Sequence, residues 1–266
     1  MHKPSSIRDY TIAILMGAAT TALLGLYLSV RRGYLFDAPM TADPFYVPNK
    51  ALAGAGVMLL ALTFLIGPIA RYFDKFDAWL GYRKEIGIIG CFLVIFHAFG
   101  SYFFLPLKYP REYFSELPLA LGAGSVGLLL LIFLYILSFK KIIELMSGNT
   151  WWFLQRLGLR LVVLLTVIHV FALKWDGWWK WLIEGSRQSP ELLHPTMAPA
   201  SLLVSIFIGW VIILRIYESV FLYKNVGFET KEITMDKALR CRGRSFFIWS
   251  LIAFLLFYIF ILTRWI

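Results

Sequence analysis

Apolar residues run along this chain in seven blocks, each too long and too unbroken for a strand or the buried stripe of a soluble helix. The blocks lie near 11–30, 51–70, 86–105, 117–139, 157–174, 201–222 and 245–263. Each approaches the roughly 20 residues that a helix needs to cross a hydrocarbon core of about 30 Å, where only helices and closed barrels satisfy their own backbone. The pattern predicts an all-α fold, a polytopic membrane bundle of about seven transmembrane helices. The polar stretches between blocks are short, so the reading is a single membrane domain, 1–266. The first block, "TIAILMGAATTALLGLYLSV", is followed by "RRGY" where a cleavage site would stand, and is expected to be an uncleaved first helix.

Composition agrees with the pattern: 59% of the 266 residues are hydrophobic, 17% are aromatic and the mean hydropathy is +0.72. The net charge of +10 would suit nucleic acid in a soluble protein, but here its distribution reports orientation. With the N-terminus inside, 16 of the 26 Lys and Arg fall on the cytoplasmic side, nine fall outside, and Arg215 lies within a span. The positive-inside rule therefore predicts a cytoplasmic N-terminus and an outer C-terminus, in a cytoplasmic (inner) membrane. The run "RCRGR" at 240–244 is expected to contact lipid headgroups, and no nucleic-acid partner is expected. Cys91 and Cys241 read as unpaired thiols.

Only two of the four histidines stand inside apolar blocks, His97 in the third and His169 in the fifth. Odd-numbered spans run in the same direction. His97 follows Lys84 by 13 residues and His169 follows Arg156 by 13, so each imidazole lies about 20 Å beyond a basic anchor. Two imidazoles at one depth on parallel helices are what axial ligation of haem iron requires. Zinc or non-haem iron would need further Cys, His, Asp or Glu ligands, and the residues one turn from either histidine offer none. A retinal Schiff base is excluded, since the last block holds no lysine. Gly90 and Gly100, seven before and three after His97, form a bare strip against which a porphyrin could lie. The alternative is that they serve helix packing. Tyr102 and Thr166 stand close enough in sequence to tune the surroundings of the pair.

The segments "LGYRKEIGIIGCFLVIFHAFGSYFF" (80–104) and "WWFLQRLGLRLVVLLTVIHVFALKW" (151–175) resemble the third- and fifth-helix signatures of the ferric reductase-like transmembrane domain. The likeness covers about 50–222, with an extra helix at one or both ends. It implies a cytochrome b-type membrane protein with His97 and His169 as metal ligands, passing electrons from a cytoplasmic or membrane donor to an outer-side acceptor. Two-haem members carry an inner histidine about four helical turns before each outer one. Here those positions hold Arg83, Lys84, Gln155 and Arg156. The resemblance therefore implies one haem b, on the outer side, as in the single-haem metalloreductases of the family. Arg83, Gln155 and Arg215 are then candidates for an inner flavin or quinone, Arg215 having as its alternative an i+3 ion pair with Glu218.

The glycine pairs at 54–56 and 122–124 stand inside apolar blocks and do not read as a dinucleotide fingerprint, so the donor is expected to be a separate protein or quinol. Membrane lipid is the other partner. The stretch 174–200, rich in Trp, is expected to be an outer loop in which Glu191 and His194 could meet an acceptor. Two rival readings remain: a carrier or assembly protein with structural histidines, and a haem-bearing anchor of a quinone-linked complex.

Overall fold

A computed structural model of the chain describes residues 7–36, 44–104, 112, 115–185, 197–222 and 237–265. The described residues are helical, without strands, and seven helices are long and apolar enough to cross a membrane. These are α1 (Ile7–Phe36), α2 (Tyr46–Tyr72), α3 (Arg83–Phe103), α4 (Pro118–Ile136), α6 (Gly148–Glu184), α7 (Ala200–Tyr217) and α8 (Lys237–Thr263), with a short helix α5 (Lys140–Leu145) between the fourth and fifth spans. A 3₁₀ segment, Asp74–Tyr82, leads into α3, and α7 continues into a π-helical turn, Glu218–Leu222.

Helix α2 is the axle of the bundle. It packs against α1, α3, α7 and α8, and more than half of its most apolar window is buried, against about a tenth for α6 and less for α8. Where α2 crosses α3 the backbones touch: a Cβ on Gly56 would stand 3.0 Å from the Gly90 carbonyl oxygen, and one on Gly90 would stand 3.1 Å from that of Gly56. Close backbone approach of this kind maximises dispersion contact between helices that lipid gives no hydrophobic reason to associate. On the other side, α4 lies along α6, with Gly158 under Leu134 and Gly127 under Leu165. Leu60, Cys91, Leu131, Leu134 and Val162 join the two helix pairs in one apolar cluster.

Helices α1, α2, α6 and α8 outrun the blocks read from sequence, α6 most, while α4 stops short of its block. Ser147 caps it by accepting the Thr150 N–H at 3.2 Å, and Gly185, at φ 61°, closes it in the left-handed conformation that glycine adopts without strain. Its 37 residues span about 55 Å. The stretch from Lys174 to Glu184, expected to open an outer loop, is thus the last three turns of this helix. No proline interrupts it, and Trp178 and Trp181 bury against Leu202, Leu203 and Ile261 of α7 and α8. Glu191 and His194 lie outside the described residues.

Candidate haem site

Each candidate ligand is held by the helix that precedes it in the antiparallel pair. The ring of His97 presents Nδ1 to the main-chain oxygen of Asn49, 3.1 Å away, in the first turn of α2. His169 presents Nδ1 to the main-chain oxygen of Ala120, 2.7 Å away, in the first turn of α4. A carbonyl oxygen can only accept, so both Nδ1 atoms carry the proton. The lone pair of each neutral imidazole is therefore on Nε2, the nitrogen that remains for a metal. The two rings lie within electrostatic reach of one another.

The two attachments differ in their surroundings. Around His97 the structure builds a polar cluster: the Asn49 side-chain oxygen also stands 3.1 Å from Nδ1, the Asn49 amide donates to Ser101 Oγ at 3.0 Å, and Ser101 Oγ lies 3.4 Å from the ring. Asn49 is buried, and Gly100 leaves room for it, since a Cβ there would meet its Oδ1 at 2.7 Å. Around His169 there is one hydrogen bond and a close fit: a Cβ on Gly124 would stand 2.7 Å from Nδ1 and 3.0 Å from Cε1.

Gly90 and Gly100 consequently face α2, and the helix-packing alternative describes them; the structure does not lay them out as a bare wall for a porphyrin. Tyr102 is turned outward, and the Thr166 hydroxyl donates to the Val162 carbonyl of its own helix, so neither is directed at the histidines. Asn49 and Gly124 are the residues that sequence reading missed. Asn49 precedes its apolar block and is 48 residues from His97, and Gly124 sits in a run whose several glycines are equivalent until the partner helix is known.

At the opposite, basic end of the same helices the pattern repeats. Arg83, at the start of α3 and about four turns before His97, donates through Nε to the Thr63 carbonyl of α2 at 3.0 Å. Gln155 precedes His169 on α6 by the same interval. It donates through Nε2 to the Leu134 carbonyl of α4 at 3.0 Å and to Ser138 Oγ at 3.3 Å. Both side chains thus tie helix to helix where a two-haem relative would present imidazoles. Arg215 pairs with Glu218, as its i+3 alternative proposed, and Glu218, buried in the π turn, is also bound by Arg71, whose Nε lies 2.7 Å from Oε1. The charges of Arg71, Arg156, Arg215 and Glu218 all act on Arg83, and the buried carboxylate of Glu85 stands two residues further along α3.

The donor set fits a haem iron and fits other metals poorly. Among the described residues no three His, Cys, Asp or Glu come together. The two imidazoles stand on separate helices, and with each Nδ1 on a main-chain carbonyl oxygen each has Nε2 left for a metal.

Metalloreductase STEAP3 of Rattus norvegicus is 34% identical over 82 residues, covering 26% of this chain and 17% of its own length. This chain therefore corresponds to under a fifth of that relative. Residues 52–166 match the family described as ferric reductase like transmembrane component, a segment that contains His97 and Gly124 and stops just short of His169. That match runs from the second turn of α2 to the middle of α6, and over this segment the membrane protein is similar to a ferric reductase like transmembrane component.

Proposed function

We propose that this chain is a single-haem, b-type electron-transfer protein of the inner membrane, the transmembrane haem component of an oxidoreductase, with His97 and His169 as axial ligands. The observation that carries the proposal is the shared contact: on two helices that run the same way, each Nδ1 lies at hydrogen-bond distance from a main-chain carbonyl oxygen, an arrangement that leaves Nε2 for iron. Haem, when bound, supplies a one-electron couple whose potential follows axial ligands, their hydrogen bonds and burial. What the chain's own residues do is orient both rings through the Asn49 and Ala120 carbonyls, while leucine and valine side chains of α3, α4 and α6 fill the apolar cluster between the helix pairs.

With the N-terminus cytoplasmic, the histidines lie in the outer half of the bilayer and the arginine level lies at the inner face. Electrons then enter from a cytoplasmic protein or from quinol and leave to an outer acceptor such as ferric iron, a quinone or a partner enzyme. The name of the rat relative supports a metal acceptor, and the gathering of Arg71, Arg83, Arg156 and Arg215 within electrostatic reach supports an anionic or polar redox group at the inner level, a flavin or quinone headgroup.

The test is absorbance of the protein expressed with haem precursor and purified in detergent. The expected result is a reduced α band of b-type haem, about one haem per chain, lost in both His97→Ala and His169→Ala. Full haem loading in either variant, or none in the wild-type protein, overturns the reading in favour of a carrier or assembly protein whose histidines only join helices. Reduction of the haem by quinol, abolished in Gln155→Ala or Arg83→Ala, would identify a quinone-linked anchor.

A further inference from the structure

The two axial positions are chemically unequal, and the inequality resides in one side chain. His169 has a single acceptor, a main-chain carbonyl that every residue type would supply. His97 has that and more: Asn49 presents both its main-chain oxygen and its side-chain oxygen to the same Nδ1, each at 3.1 Å. The amide is not free to turn, because its nitrogen is committed to Ser101 Oγ at 3.0 Å on the helix that carries His97. A buried asparagine in an apolar bundle is unfavourable unless its groups are paired, and here its partners are one imidazole and the residue one turn beyond it.

From this geometry we infer that Asn49 is a positioning residue that sets the reduction potential of the haem through His97. The inference rests on the axial assignment above. An acceptor on Nδ1–H draws the proton away from the ring, gives the imidazole more anionic character and makes Nε2 a stronger donor, which favours ferric over ferrous iron. Two oxygens on one proton push further than one. Asn49 touches neither iron nor substrate, and acts only by what it does to His97.

The experiment is a redox titration of the haem-loaded wild-type protein and the Asn49→Leu and Asn49→Asp variants, followed by absorbance, with low-temperature electron paramagnetic resonance of the ferric forms. Leucine removes the side-chain acceptor and should raise the midpoint potential; aspartate strengthens it and should lower the potential. A tenfold change in ferric preference in each direction corresponds to about 59 mV for one electron. The ferric g-value spread should move in opposite senses in the two variants. Gly100→Ala, whose methyl group would displace the Asn49 oxygen, should shift the potential in the same direction as leucine while leaving the amide in the protein. Ser101→Ala, a small change that frees the amide to turn, should do so more weakly, and stands in if the Asn49 variants fail to load haem.

Shifts of the same sign for leucine and aspartate would mark a merely structural role and overturn the inference. So would potentials unchanged across all four variants. A wild-type protein without haem overturns the axial assignment itself, an outcome distinct from a loaded protein whose potential ignores Asn49.

Discussion

The pair α2–α3 and the pair α4–α6 are the same device built twice. In each, a histidine on the second helix binds a carbonyl in the first turn of the first, 48 or 49 residues earlier. A polar side chain about four turns before that histidine binds a carbonyl near the other end. The difference lies in what surrounds them. The α2–α3 pair contains the axle helix α2, against which α1, α7 and α8 pack, and carries the Asn49–Ser101 cluster and an arginine; the α4–α6 pair stands to one side of that axle with a glycine under the ring and a glutamine. In the pair that contains the axle, polar groups are given over to orienting a ligand. To one side of it, orientation is left to one hydrogen bond and steric fit.

The largest effects are expected from breaking the feature both pairs share. His97→Ala and His169→Ala should each abolish haem binding in the purified protein, read from the loss of the reduced α band. Next comes the steric difference: Gly124→Val puts a side chain where the His169 ring lies, and haem retention during dilution in detergent should fall about 10–100-fold, the range typical for disturbing a ligand's support. The same substitution at Gly122, which has open space beside it, should leave retention unchanged and serves as the control.

Glu218→Gln tests the basic end beneath the α2–α3 pair. It leaves Arg71 and Arg215 facing one another without their carboxylate, and because each guanidinium keeps about a quarter of its exposure, the expected loss is about 3 kcal/mol, the low end for breaking a buried pair. A fall in the thermal midpoint in detergent checks it. The smallest effects separate the two pairs: Arg83→Met should cost about 2 kcal/mol, as a charged donor to a carbonyl, and Gln155→Leu about 1 kcal/mol. Equal losses at the two positions would mean that the two ends are held alike and would remove the contrast between the pairs.

The seven spans were legible in the sequence because a run of about 20 apolar residues has few other uses, and the common depth of His97 and His169 could be expected because each ring sits at a fixed count from a basic anchor. What was not legible depends on contacts between helices. Lys174 to Glu184 looked like a loop because its tryptophans and charges mix, yet a helix leaving a membrane needs that mixture, and only the packing of Trp178 and Trp181 reveals its continuation. Arg83 and Gln155 drew notice as polar residues in the place of absent histidines, while their carbonyl partners, 20 and 21 residues away across a helix pair, left no local trace. Asn49 drew none, since a single asparagine at the edge of an apolar block is common.

The unbroken length of α6 gives the protein a rigid shaft. Between the Ser147 cap and Gly185 there is no joint, so His169 and the tryptophan end turn and slide as one piece. That end is pinned where the Trp265 indole donates to the Trp181 carbonyl at 3.0 Å. Anything that grips the tryptophan end therefore holds the handle of the imidazole. A movement of the shaft would be felt at Ala120, whose carbonyl oxygen lies 2.7 Å from the ring.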